Sequence, residues 1–339
     1  MIVPLFLPHN GCGQRCTYCN QDHITNSEKG GRIEDRVARL LAPRSAPVEV
    51  ALYGGNMLGL DRTRLEGLLR LFEPYRDRVA GLRISTKPVV PGMDVIGLLK
   101  KYRVRTIELG IPTFNDDILA ALKRGHTADD LFKTYRMLRE EGFETGLQVM
   151  VGLPGETPRD IRETARAVTS LAPAFIRIYP LLVLQDTELY RDFKSGRFSP
   201  DTIESAVAKS VFISITAWNH RIRTIKMGLT ENDVLKEKIA AGPFHPAFGY
   251  LVKSEAFYLA LLQNCAASAI RGAIRVAVHP RDVAHLTGHK GFNLARANAS
   301  GIFPTWEEDG TLEEGHFVIE SGGKRVQGSL ADALAMIPF

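Results

Sequence analysis

Three of the chain's four cysteines fall within eight residues, as Cys12-Gly-Gln-Arg-Cys16-Thr-Tyr-Cys19. Cysteine thiolates are the protein ligands of iron–sulfur clusters, and this C-x₃-C-x₂-C spacing lets one short loop wrap one centre. Three thiolates for a [4Fe–4S] cube leave one iron without a protein ligand, and an open metal position can bind a small molecule directly. Gly11 and Gly13 give the loop the backbone freedom to fold around such a group. Two plainer readings stand beside this one: a zinc site completed by His9 or His23, and a set of free thiols. Zinc sites usually combine two C-x₂-C or Cys/His units, and a second pair is missing here. Cys265, inside the apolar stretch LALLQNCAASA, reads as a small buried hydrophobe.

A loop of this kind needs a rigid frame, and the rest of the sequence supplies an alternation of short apolar runs and amphipathic stretches. Strands are predicted over 2–7, 48–53, 82–85, 106–111, 147–151 and 175–179, several of them apolar almost throughout, as in parallel sheets covered on both faces. Between them, Ile33, Val37, Leu40 and Leu41 follow helical spacing, as do Leu65, Leu68, Leu69 and Phe72, and Leu131, Tyr135 and Leu138. Strand then helix, about six times over, predicts an α/β fold: a partial (β/α)6 TIM-type barrel whose strand C-termini carry the site. A long helix is expected over 201–218, a Pro/Gly-rich boundary over 240–249, a further helix over 255–267 and a small α/β segment to the end. The expected organisation is a barrel at 1–230, a helical connector at 231–267 and a small C-terminal α/β domain at 268–339.

Of the 339 residues, 45% are hydrophobic and 24% charged, which is ordinary globular composition and excludes a disordered chain. No apolar run approaches the roughly 18 residues of a membrane span, and MIVPLFLPHNGC has neither the basic start nor the cleavage site of a signal peptide. Clustered cysteines without an export signal suit a reducing compartment, so a cytoplasmic location is expected. The net charge of +5 permits a polyanionic partner.

Further candidates sit at predicted strand ends. Tyr53-Gly54-Gly55-Asn56 closes the second strand, Ser85-Thr86-Lys87-Pro88 the third, and Gln148-Val-Met-Val-Gly152-Leu153-Pro-Gly the fifth. Glu108 lies on the fourth strand, where a carboxylate pointing into a barrel is costly unless paired. Arg177 and Tyr179 share one face of the sixth strand and can point inward; core packing is the alternative. Turn chemistry alone explains each glycine or proline, whereas the ordered set is more specific. Arg223 and Lys226 are two more basic positions, alternating on a candidate late strand over 222–227; a solvated face or a charged edge is the alternative.

The cysteine spacing and these segments together resemble the radical-SAM superfamily. The resemblance implies that Cys12, Cys16 and Cys19 hold a [4Fe–4S] cluster whose open iron chelates S-adenosylmethionine (SAM), and that one electron cleaves SAM to a 5′-deoxyadenosyl radical. It places Tyr18 near the adenine and Gly54–Gly55 at the SAM amino group. Asn56 stands where the family usually has Glu, so only its backbone role carries over. Ser85, Thr86 and Lys87 fall on the ribose and carboxylate side, and Gln148, Gly152 and Leu153 in the segment that packs on adenine. Glu108, Arg177 and Tyr179 are then the catalytic candidates, and a donor such as ferredoxin or flavodoxin is the implied electron source.

Three passages are more particular: TIELGIPTFNDDILAALKRGHT, GLQVMVGLPGET and IYPLLVLQDTELYRDFKSGR. They resemble the catalytic subunit of Elongator and its shorter bacterial relatives, which implies wobble-uridine chemistry on tRNA. Ending at Phe339 and starting at its first strand, the chain is expected to lack that subunit's acetyltransferase domain and basic N-terminal region. Oxygen-independent coproporphyrinogen III oxidase is a more distant likeness; its further cysteine falls where this chain has Gln21. Near the C-terminus, Gly288-His289-Lys290-Gly291 resembles the Gly-x-x-Gly loop of a KH RNA-binding module, where backbone approaches phosphate closely. Over 268–300 five Lys/Arg (Arg271, Arg275, Arg281, Lys290, Arg296) face one acid, Asp282. A glycine turn on a solvated basic face is the alternative. The leading expectation is a radical-SAM enzyme acting on RNA, with a tRNA base as target. The alternatives are radical chemistry on a small-molecule or protein substrate, and an RNA-binding iron–sulfur protein without SAM turnover.

Overall fold

The computed structural model describes residues 1–25, 32–43 and 46–339. Its main sheet has seven strands, all parallel and in sequence order: β1 (Ile2–Asn10), β2 (Val48–Gly55), β3 (Val79–Thr86), β4 (Val104–Gly110), β5 (Glu144–Val151), β6 (Phe175–Pro180) and, after a short β7 (Val183–Leu184) outside the sheet, β8 (Arg223–Met227). β1 and β8 remain edges, so the barrel is open. The sheet is nevertheless curled, because Phe6 of the first strand and Lys226 of the last line one cavity. β8 is a seventh strand where the expected architecture had six, and it extends the curl by one position.

Alternation along these strands explains the architecture. Val48, Val50 and Leu52, then Leu82 and Ile84, then Ile107 and Leu109, then Leu147, Val149 and Val151 are buried on the convex face. Each such side chain contributes about 1.5–3 kcal/mol on burial. They pack beneath helices α2 (Ile33–Leu41), α3 (Arg62–Arg70), α4 (Met93–Lys101), α5 (Asp116–Ala121), α6 (Ala128–Glu140), α7 (Pro158–Leu171) and α9 (Ile203–Asn219), most of them lying between successive strands, whereas α1 (Gln21–Thr25) borders the cavity and α8 (Glu188–Lys194) packs against β7. Many of the intervening positions, which point to the concave face, are polar: Glu49, Tyr53, Arg83, Thr106, Glu108, Gln148 and Arg177. The strands are therefore not apolar on both faces. Cysteine loop, glycine turn and Ser-Thr-Lys turn all follow strand C-termini, at one rim of the half-barrel.

After β8 come α10 (Asp233–Lys238) and β9 (Ile239–Ala241), which pairs antiparallel with β7. α11 (Phe248–Ala267) starts seven residues before the expected helix and packs on α9 and on the 3₁₀ segment Leu330–Met336. The C-terminal sheet contains β10 (Gly272–Val278), β11 (Ile302–Glu308), β12 (His316–Ser321) and β13 (Lys324–Ser329), in the order β11-β10-β12-β13. Between the parallel neighbours β10 and β11 lie α12 (Val283–Thr287) and α13 (Phe292–Ala299). One apolar core runs from Val3 to Ile337, so this unit is continuous with the half-barrel. Among the described residues no helix is long and apolar enough to cross a membrane.

Candidate active site

The cysteine loop is fixed by main-chain contacts at both ends. The Cys12 N–H donates to the His9 carbonyl at 3.0 Å, and the Cys19 N–H to that of Cys16 at 3.0 Å. The Thr17 N–H reaches the carbonyl of Leu122, and Thr17 accepts from Leu189. Gly11 is required where it stands. It has φ +73°, and a Cβ there would lie 2.1 Å from the Asn56 carbonyl oxygen. Gln21 closes the loop: its side chain accepts from the His9 N–H, and its own N–H donates to His9 Nε2.

All three cysteines line a cavity of about 500 Å³ inside the curl. Tyr18, Gly54, Gly55, Ser85, Thr86, Lys87, Gln148, Arg177 and Tyr179 line it too, so the strand ends converge as expected. Burial raises the Cys12 thiol above its ordinary value and pushes that of Cys19 up to about 12. The bare loop therefore holds thiols, and metal binding must displace their protons. Among the described residues no three His, Cys, Asp or Glu side chains stand close enough to share a single ion. A three-thiol rim over a roomy cavity fits an iron–sulfur cube with a small molecule beside it.

Four of the sequence candidates sit elsewhere than expected. Glu108 is completely buried and does not line the cavity. Its Oε1 accepts from the Tyr53 hydroxyl at 2.7 Å and from Arg83 at 3.0 Å; its Oε2 accepts from Gln148 at 2.7 Å and lies 2.8 Å from Arg177 Nε. It therefore positions three lining side chains, Tyr53, Gln148 and Arg177, rather than touching a ligand. Gly152 and Leu153 also lie outside the cavity. The Gly152 N–H donates to Glu156, which with Asp201 clamps Lys209 of α9, while Leu153 packs in a satellite cluster with Ile118 and Leu189.

Asn56 is the fourth. Its side chain is buried in the frame, where Oδ1 accepts from the Thr86 hydroxyl at 2.7 Å and the Lys87 N–H at 3.0 Å, and Nδ2 donates to the Gly11 carbonyl at 3.2 Å. Asparagine, which both donates and accepts, can tie the ends of β2 and β3 to the cysteine loop; a glutamate could not donate to Gly11. Asn56→Ala leaves buried groups unpaired, at about 1–3 kcal/mol each. A lower urea midpoint together with reduced iron retention is the expected result; unchanged values of both would mean that the tie is dispensable.

The sequence reading did not single out a lining residue that touches the cysteine loop directly. Arg124 is buried behind the loop, donating Nη1 to Cys16 Sγ at 3.3 Å and to the Tyr18 hydroxyl at 3.2 Å, and Nη2 to the Gly110 carbonyl. Its carbonyl accepts from Lys87 Nζ at 3.0 Å. Tyr18 is raised by burial, so its hydroxyl stays protonated. The C-terminal candidates lie apart, since no residue beyond Thr230 lines the cavity. Gly288 (φ +72°) and Gly291 (φ +78°) form the turn between α12 and α13, with His289 and Lys290 exposed. Arg296 is not a free cation: it forms a two-pronged ion pair with Glu255 and stacks on Tyr258 at 3.6 Å.

Comparison with known proteins agrees with this geometry. Residues 6–168 match the radical SAM superfamily and 173–257 the Radical_SAM C-terminal domain. The tRNA uridine(34) acetyltransferase of Methanocaldococcus jannaschii is 31% identical over 154 residues, covering 44% of this chain and 28% of that protein. The Methanocaldococcus infernus protein of the same name is 30% identical over 195 residues, 54% of this chain and 36% of its own length. Heme chaperone HemW of Bacillus subtilis is 27% identical over 198 residues, 55% of this chain and 52% of its own. The match thus spans less than two-fifths of the acetyltransferases. Among solved structures, archaeal Methanocaldococcus infernus Elp3 with its N-terminus deleted shares the fold at TM-score 0.56 and 18% identity, covering 94% of this chain and 72% of that one. A family whose enzymes use a [4Fe–4S] cluster and SAM accounts for a triple-cysteine rim over a roomy cavity, and it is to the radical SAM superfamily that this chain belongs.

Proposed function

We propose that this radical SAM enzyme acts on RNA, with a tRNA base as its target. The observation that carries the reading is the character of the cavity. Among the described residues its lining includes five basic side chains (Arg15, Lys87, Arg124, Arg177 and Lys226) and neither Asp nor Glu. Such a concavity concentrates anions and repels cations, and similarity to tRNA uridine(34) acetyltransferases favours RNA among anionic substrates.

Cys12, Cys16 and Cys19 would hold the cluster, with Tyr18, Gly54, Gly55, Ser85, Thr86, Lys87, Gln148 and Arg124 around SAM. The bound cofactors supply the hard chemistry, reductive cleavage of SAM to a carbon-centred radical. The chain's own residues supply position. Arg124 braces Cys16 and Tyr18, and Glu108 fixes Gln148 and Arg177. Leu181, Leu182, Leu184 and Leu229 give the far wall an apolar surface that sheds water.

Filter binding of bulk tRNA to the cluster-loaded protein tests the RNA reading. Affinity should fall steeply as salt rises, because phosphate contacts release counterions. Absence of binding even at low salt would remove RNA and leave a small-molecule or protein substrate.

A further inference from the structure

The charged side chains of the concave face form a connected chain. Glu49 meets Arg83 at 3.0 Å, Arg83 meets Glu108 at 3.0 Å, and Glu108 meets Arg177 at 2.8 Å. The signs alternate and cancel. Lys226 breaks the alternation. β6 and β8 are parallel neighbours with Arg177 and Lys226 as register partners, and both side chains line the cavity. Like charges held at neighbouring positions repel each other. Lys226 also has no carboxylate or hydrogen-bond partner among the described residues; burial, then Arg177, lower its pKa. Lys87 and Arg124, by contrast, stand at the cysteine side, where both bear on the Cys12 and Cys19 thiols.

A surplus cation held against a second one, half-buried on a cavity wall, is a cost that an anionic ligand would offset. We propose that Arg177 and Lys226, with Tyr179 beside them, form a subsite for a phosphate group of the substrate. A single carboxylate would repeat what Glu108 already gives Arg177. A phosphate offers several oxygens, enough to meet the guanidinium and the ammonium together. The neighbouring Leu181, Leu182 and Leu229 suit the flat, uncharged remainder of a nucleotide. The inference rests on the RNA reading above and says which wall of the cavity meets the RNA backbone.

The test is calorimetric titration of the cluster-loaded, SAM-bound protein with uridine 5′-monophosphate, uridine and succinate. The wild type should bind the monophosphate at least roughly tenfold more tightly than uridine, the scale of one charged hydrogen bond. Lys226→Met should erase that difference while keeping the affinity for SAM, and Lys226→Arg should retain most of it. If Lys226→Met lowers the melting temperature, Lys226→Gln compared with Lys226→Arg decides instead. Equal monophosphate affinity in wild type and Lys226→Met overturns the subsite. So does tighter binding of succinate than of the monophosphate, or no monophosphate binding at all. A parallel loss of SAM affinity in Lys226→Met would overturn it too, by placing Lys226 at the cofactor. Failure of the RNA reading appears separately, in the tRNA filter assay, because the monophosphate titration does not depend on RNA length.

Discussion

Cys16→Ala protein should fold yet retain almost no iron or acid-labile sulfide after anaerobic reconstitution. Cys16 is the buried member of the triple, and its thiol is the one that Arg124 touches. Removing it leaves two thiols, too few to hold the cube firmly. The loop itself should survive, because it is held by main-chain bonds at His9, Leu122 and Leu189, none of which uses the sulfur. A melting temperature close to that of the wild type, with iron content near the blank, is the expected pair of results. Cys265→Ala is the matched control: that thiol is buried in α11, away from the cavity, so iron content should not change. Full iron loading of Cys16→Ala would place the cluster elsewhere.

Glu108→Ala should be the most destabilising single change in the half-barrel. Glu108 is fully buried between Arg83 and Arg177, and the two guanidiniums would be left facing each other across an empty site. Breaking a buried ion pair costs about 3–5 kcal/mol, a large part of the roughly 5–15 kcal/mol that keeps a domain folded. Glu108→Gln keeps the shape and loses the charge, so its urea midpoint should fall between the two. A positioning role predicts more than instability. In Glu108→Gln, at a temperature where the variant is folded, SAM affinity should drop as well, because Gln148 loses the carboxylate that holds it. Normal SAM affinity with reduced stability would make Glu108 purely structural.

The parts of this site that can be read from sequence are those written locally. The cysteine triple is contiguous, and the glycine and Ser-Thr-Lys turns follow strands whose apolar runs announce them. Side-chain direction is less legible, because it depends on partners far along the chain. Asn56 shows this: its bonds reach Thr86 and Gly11, 30 and 45 positions away, and they turn it into the frame. Gly152 and Leu153 follow the right strand but turn outward, toward Glu156 and Leu189. Arg124 is 108 positions from Cys16. Its only sequence signal is a basic residue just before Gly125, whose φ of +70° ends the turn after α5. β8 lies within the candidate late strand over 222–227, but nothing in Arg-Thr-Ile-Lys-Met places it in the main sheet beside β6, with Lys226 turned into the cavity.

The loop Cys12–Cys19 and the cavity beneath it should cleave SAM, and the yield of 5′-deoxyadenosine from anaerobically reconstituted protein supplied with SAM and dithionite measures this most directly. Wild-type protein should give product, more of it when tRNA is present, and Cys16→Ala none. No 5′-deoxyadenosine from wild-type protein with a full complement of iron and sulfide, with or without tRNA, would rule out SAM cleavage at this site.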